Sequence, residues 1–399
     1  MAEPKVRFKR QDGSSYPAWV EGRFGDLIQP YVEKVSSSST LPVLTSSKTN
    51  GIQYQSEHFG REQLHDISGY NVIPRGYCTY RNRSDGTDFT FNINNLCEKG
   101  IVSKFYPVFR ATEKCNIYFL MTLMNNEPKT VCKIAMTAKG TGQKVLSFID
   151  LQNIAVNIPC QEEQDNIADF LSSVDDVIST SEQEVANLET QKKAVMKKIF
   201  SQEVRFKRPD GTGFPEWEEI ILTNILSEYK EMCEKDGTYE HVSLTKEGVV
   251  PKTERYERDF LVTTEDKKYR VTHLNDICYN PANLKFGVIC RNKYKDAIFS
   301  PIYVTFTVND KYAPEFIEMV VTNEAFIQRA LKYQQGTVYE RMAVSPADLL
   351  QMTVGIPCLE EQRLIADFLS DFDEAIAAAK KELELWKQLK KGLLQQMFV

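Results

Sequence analysis

Between Gln161 and Phe200 no glycine or proline interrupts the chain, and apolar side chains recur at steps of four and three: Ile167, Leu171, Val174 and Ile178, then Val185, Leu188, Val195 and Ile199. That alternation places them on one narrow stripe of a helix, the seam of a coiled coil. Pro159 stands just before the start. Glu162 and Glu163 meet the positive end of the helix dipole, and Lys192, Lys193, Lys197 and Lys198 the negative end, so start and stop agree with the periodicity of one long helix. The stripe returns at Ile365, Leu369, Phe372, Ile376, Ala379, Leu383, Trp386, Leu393 and Met397. Both seams hold a lysine at the same step, Lys192 and Lys390, which either fixes the alignment of the helices at a cost in stability or snorkels to the edge. A helix of roughly 38 residues is about 57 Å long, a spacer rather than a core element.

The recurrence extends beyond the seam. Val6–Trp19 (VRFKRQDGSSYPAW) returns 198 residues later as Val204–Trp217 (VRFKRPDGTGFPEW), and Ile158–Ser172 returns as Ile356–Ser370 with twelve of fifteen positions identical. The residues between these blocks agree only in scattered places. The chain is a duplicated framework carrying two different inserts, an arrangement suited to reading two different things with one geometry. A pseudo-two-fold relation between the copies would make the long helices antiparallel.

The inserts, 20–157 and 218–355, mix turns with short strand-like runs such as Val102–Val108, Ile298–Thr307 and Arg270–Thr272, which predicts a common α/β fold. Tyr70 with Tyr269, Tyr80 with Tyr279, Ser103 with Ser300, Tyr106 with Tyr303 and Phe109 with Phe306 read as its shared core. The polar loops differ. Arg81, Asn82 and Arg83 follow Tyr80 where Asn280, Asn283 and Lys285 follow Tyr279; a later loop carries Lys139, Thr141, Gln143 and Lys144 in one copy and Gln335, Thr337, Tyr339 and Arg341 in the other. Arg and Lys donate to guanine, Asn and Gln pair with adenine, and amides beside glycine reach phosphate, so these residues are candidate DNA contacts. Surface turns use the same residue types.

Charge sharpens this. The net charge of −6 argues against a polyanionic partner, but residues 61–150 hold 12 basic against 8 acidic side chains, whereas 161–199 hold 4 against 9. A polyanion is expected to approach the first insert and avoid the helix. Residues 269–345 are less decisive, with 9 basic against 7 acidic. Nine scattered cysteines without a Cys-x-x-Cys pair read as small buried apolar residues, and four histidines show no metal-ligand spacing, so neither disulfides nor a metal are expected. Phosphate-loop and other catalytic signatures are missing; Asn280-Pro281-Ala282 lacks the second proline and the aromatic of an amino-methyltransferase motif and reads as a turn. No apolar run is long enough for a bilayer and the opening residues lack a signal-peptide core, so a cytoplasmic location is expected.

The whole pattern, insert, Ile-Pro-x-x-Glu-Glu-Gln-x-x-Ile-Ala-Asp-Phe-Leu, long helix, and the same again, resembles the specificity subunits of type I restriction-modification systems. The resemblance implies an α+β chain with two target-recognition domains separated by two antiparallel coiled-coil helices. Its parts would be a repeat segment (1–19), a recognition domain (20–157), a spacer helix (158–203), the second repeat segment (204–217), a second recognition domain (218–355) and a second helix (356–399). Each domain would read one half of a bipartite site on double-stranded DNA, and the helices would set the gap. The subunit would be non-catalytic and bind no cofactor. It would recruit two adenine-N6 methyltransferase subunits that use S-adenosylmethionine and two motor endonuclease subunits that use ATP and Mg2+. Arg7, Lys9, Arg10 and Trp19, with Arg205, Lys207, Arg208 and Trp217, are candidate docking residues for these partners, or else pack the linkers. The alternatives are a specificity module of another nuclease or methyltransferase, a coiled-coil scaffold without DNA, and an enzyme with an unrecognised site.

Overall fold

The computed structural model describes residues 4–61, 66–234, 237–252, 268–335 and 342–398. The chain divides into two compact units, 1–185 with 379–399, and 186–378. Two long helices run from Gln161 to Phe200 and from Leu359 to Met397.

In unit 1 the strand Val20–Arg23 pairs antiparallel with Ala155–Ile158, joining the two ends of the insert at its root. Beyond the root lies a four-stranded sheet in the order Ile28–Tyr31, Val108–Ala111, Cys78–Tyr80, Phe91–Ile93. Helices Ile117–Asn126 and Pro128–Thr137 follow it in the chain, the first capped by Asn116 and the second by Glu127. Tyr80, Phe91, Phe109 and Phe119 are wholly buried in the core beneath. Unit 2 repeats the plan. Glu218–Ile221 pairs with Thr353–Ile356 at the root, and the sheet runs Leu226–Tyr229, Val304–Val308, Ile277–Tyr279, Ile289–Arg291. Unit 2 adds a five-stranded sheet built on Glu240–Thr245 and Ala297–Phe299.

Two expected strands are interrupted. Val102–Val108 is the end of one strand and the start of another, with a turn closed by Tyr106 N donating to Ser103 O. Ile298–Thr307 breaks in the same way, with Tyr303 N donating to Ser300 O. An apolar run does not distinguish one strand from two strands joined by a turn whose tyrosine packs inward. The cysteines meet expectation only in part: Cys78, Cys115, Cys278 and Cys290 are buried, Cys97, Cys160, Cys233 and Cys358 half-buried, and Cys132 exposed on a helix.

The helix seam follows the sequence. In unit 1 Ile167, Leu171 and Val174 are buried, and Ile178 and Val185 half-buried. Against them lie the half-buried Leu383 and Trp386 and the buried Met397. Lys390 pairs with Asp175 and Lys387 with Glu182 at 2.6 Å, so the two segments run antiparallel. In unit 2 Leu188 and Phe372 are half-buried, and Ile365, Leu369 and Ile376 buried. There Lys192 pairs with Asp373. Each seam lysine thus reaches an aspartate on the other helix rather than water alone, and the two bridges are the same bridge 198 positions apart.

Candidate nucleic-acid interface

The repeated signature block works as a clamp at the root of each unit. Glu163 is shielded from solvent, and its carboxylate accepts from Arg7 Nε at 3.0 Å and Nη2 at 2.7 Å. Gln164 is also buried. Its amide nitrogen donates to Pro159 O at 3.0 Å, and its oxygen accepts from Asn116 N at 3.0 Å, tying the start of the long helix to a helix of the insert. In unit 2 Arg205 holds Glu361, and Gln362 links Pro357 O to Ala313 N. Arg10 pairs with Glu162 and Arg208 with Glu360, both solvent-exposed.

Trp19 and Trp217 complete the clamp from the other side. Trp19 is 7% exposed and stands edge-on to Phe119 and to Phe398, each with ring centroids 6.2 Å away. Trp217 stands against Phe316 and Phe200 at 5.9 and 6.2 Å. Phe200 ends the first long helix and Phe398 directly follows the second, so each helix end is plugged into a unit through an aromatic trio. Arg7 and Arg205 are thus engaged by carboxylates and Trp19 and Trp217 packed on aromatic rings, while the indole nitrogens of both tryptophans are buried without a hydrogen-bond partner among the described residues.

The two polar loops of the first insert, more than fifty residues apart, lie side by side. Arg83–Ser84 pairs antiparallel with Lys144–Val145, and Leu146 N donates to Asn82 O at 2.9 Å. Beneath them the Tyr80 hydroxyl donates to Leu146 O at 3.0 Å; burial raises its pKa and keeps it a neutral donor. Gly140 turns the second loop at φ +123°, where a Cβ would collide with the Gln143 carbonyl. Arg81, Arg83, Lys139, Thr141 and Gln143 are exposed, Asn82 and Lys144 half-buried. Lys139 is tied to Asp150 at 2.8 Å, which with Ser147 holds that carboxylate below its usual pKa, and Gln143 donates to Asp85 at 3.2 Å.

The second insert uses the same anchor. The Tyr279 hydroxyl donates to Val344 O at 3.1 Å, and Val344 N to Pro281 O at 3.2 Å. Lys285 is exposed and Asn283 half-buried, both lining a cavity of about 300 Å³ with Phe286 and Met342. Asn280 is 7% exposed and its oxygen accepts from Ala282 N, so it caps a 3-10 turn rather than facing outward. Gln335 is exposed and donates to Asp348 at 3.3 Å. Thr337, Tyr339 and Arg341 lie outside the described residues.

A family model described as the type I restriction modification DNA specificity domain matches residues 35–190. The type I restriction enzyme MjaVIII specificity subunit of Methanocaldococcus jannaschii is 26% identical over 319 residues, 75% of this chain and 73% of that one. The chain is thus similar to the specificity subunits of type I restriction-modification systems, through its first insert and first long helix in the family model and over most of its length in the curated relative. The fold agrees. A type I S subunit from M. genitalium superposes with a TM-score of 0.59 at 12% identity, covering 100% of this chain and 99% of its own. A chain from a structure of the type I R-M system concerned with complex assembly and conformational transition gives 0.55 at 15% identity, covering 96% and 98%.

Sequence reasoning missed part of the candidate interface. A cavity of about 440 Å³ in unit 1 is lined by Arg81, Arg83 and Asp85, and also by Lys48, Phe59 and Asp88. Lys48 follows the hairpin strand Leu44–Ser47 and Phe59 ends a short helix; nothing in the sequence places them beside Arg81. The clamp was signalled by the identity of Glu163 and Gln164 with Glu361 and Gln362, but not its partners. Among the described residues no group of three or more His, Cys, Asp and Glu could hold a metal ion, and no helix is long and apolar enough to cross a membrane.

Proposed function

We propose that this chain is a type I specificity subunit that reads double-stranded DNA as two half-sites, one for each insert, through the loops beside Tyr80 and Tyr279. The observation that carries this is that the same hydroxyl-to-carbonyl anchor, Tyr80 to Leu146 and Tyr279 to Val344, recurs in the two units beside polar residues of different composition. A common frame with variable chemistry at its tip is what reading two base sequences requires. The long helices, of 40 and 39 residues, would set the gap between half-sites, each about 60 Å long at ~1.5 Å per residue.

Methylation and cleavage would belong to partners: two adenine-N6 methyltransferase subunits using S-adenosylmethionine, and two motor endonuclease subunits using ATP and Mg2+. With Arg7 and Trp19 occupied inside the clamp, the exposed outer faces of the long helices are the better docking surface. A cytoplasmic location fits such a system.

Methylome sequencing of a host with and without this gene tests the reading. A bipartite adenine-methylated motif should appear only with the gene, and replacing residues 218–355 by a related insert should change one half of it. A continuous motif, or both halves changing together, would sink the proposal. Binding should weaken by orders of magnitude as salt rises from ~50 to ~200 mM, as phosphate contacts demand.

A further inference from the structure

We infer that Arg83, held against the ring of Phe105, is a specificity-determining residue of the first insert, reading a guanine in the half-site of unit 1. This rests on the DNA-reading proposal above and goes beyond it by naming the residue and the base.

The backbone of Arg83 is held by strand pairing, and its exposed side chain rests against a ring that Lys104 also approaches, at 5.5 Å. Its backbone belongs to the short ladder with Lys144 and Val145. Its neighbour Asn82 donates from the backbone to Phe105 O at 3.1 Å, locking the loop onto the turn that carries the ring. The guanidinium carbon sits 4.3 Å from the Phe105 centroid, while Phe105 itself is 38% exposed. A guanidinium lying on a ring has spent its flat face and kept its N–H donors, which lie in the plane of the group. Ordering it in advance removes the entropy of fixing a long side chain at the moment of binding.

The surroundings favour a base edge over a phosphate. Ion pairs take up Arg7, Arg10 and Arg75 in the same unit, whereas no carboxylate lies within ion-pair distance of Arg83 among the described residues. The cavity it lines is not uniformly basic. Asp85 and Asp88 share it with Thr45, Ser46 and Thr90, an assortment of donors and acceptors that a polyphosphate backbone would not select. Asp88 is bridged to Lys48 at 3.3 Å, and Asp85 accepts from Gln143, so neither neutralises Arg83. The bidentate partner of an arginine on a base edge is guanine O6 and N7.

Unit 2 replaces both members of the pair. Three residues beyond Tyr279, where Arg83 lies three beyond Tyr80, stands Ala282; immediately before Tyr303, where Phe105 precedes Tyr106, stands Ile302. The guanidinium and the ring are absent together from the second frame, as expected if they act as one device belonging to one half-site.

The test is selection from a random duplex library by the full chain assembled with its methyltransferase subunits. Wild type should select a bipartite motif with guanine in one half. Arg83→Ala should lower the preference for that guanine by about 10- to 100-fold and leave the other half unchanged, without changing the melting temperature of the exposed site. Phe105→Ala should weaken the same guanine preference more mildly, and Phe105→Tyr should restore it, which a purely structural role for the ring would not predict. Uniform weakening across all sequences in Arg83→Ala would make Arg83 a phosphate contact and overturn the inference, as would an unchanged motif. A wild type with no bipartite preference would instead overturn the DNA-reading proposal on which this rests.

Discussion

Arg7 and Glu163 are 156 residues apart and joined by two parallel N–H···O bonds, with the carboxylate wholly out of reach of solvent. Arg205 and Glu361 repeat the pair at the same separation. A fork-to-fork pair buried on one side is costly to break singly, because the partner is left as an uncompensated charge. Arg7→Ala is therefore expected to lower the urea-unfolding free energy of unit 1 by about 3 kcal/mol, while Arg7→Ala with Glu163→Gln should recover part of the loss. A double-mutant cycle by chemical denaturation reads this directly; additive losses would deny the coupling.

The seam lysines give a weaker but more selective effect. Asp175 is 52% exposed and Lys390 28%, so their bridge is worth only about 0.5–1 kcal/mol after solvent screening. Its value lies in choosing the alignment. Asp175→Lys should destabilise the pairing by placing two cations together, and adding Lys390→Asp should restore it. If the swapped pair melts no higher than the single variant, the bridge does not specify register.

Truncation after Ser201 should give a homodimer. Unit 1 needs an incoming helix end that plugs Leu394, Met397 and Phe398 into its core, and a second half-length chain can offer Met196, Ile199 and Phe200 in the same order. An apolar stripe left in water favours that exchange. Light scattering at tens of micromolar should report twice the monomer mass, and Phe200→Asp should return it to monomer. A monomeric, folded parent fragment would mean the helix ends do not substitute for one another.

Unit 2 should lose stability as pH rises past neutrality. Burial pulls the His273 imidazole toward its neutral form, but hydrogen bonds to Glu231 and Asp296, and the negative charge of Asp296 and Asp276, outweigh it and raise the pKa above 6.5. Both ring nitrogens lie 3.1 Å from a carboxylate oxygen, and both can donate only in the cation. A pKa raised by folding contributes stability that is complete below the unfolded value and is lost as pH rises through the folded one. The urea midpoint should therefore fall between pH ~6 and ~8, and His273→Gln should flatten the curve. The same slope in the variant would place the titration elsewhere.

How much was legible beforehand varies from residue to residue. The existence of the first long helix was legible because a 4-3 stripe over forty positions is local information, and the seam burial of Ile167, Leu171 and Val174 follows from it. The duplication was legible because the chain contains its own comparison: Glu163 and Gln164 stand out against Glu361 and Gln362. Local pattern also placed the polar loops, but could not tell that Asn280 is a buried cap while Lys285 is exposed, since both belong to the same turn.

The sequence by itself determined the duplication, the two helices and which residues form their seam, because periodicity and identity are properties of the string. Only the tertiary structure decided what those elements meet. It gave Glu163 its Arg7, set Lys192 on Asp373, seated Phe398 between Trp19 and Phe119, and brought Phe105 under Arg83. Such contacts join residues tens to hundreds of positions apart. Their partners are selected by the global packing of sheet and helix, and no short-range preference of the chain encodes that choice.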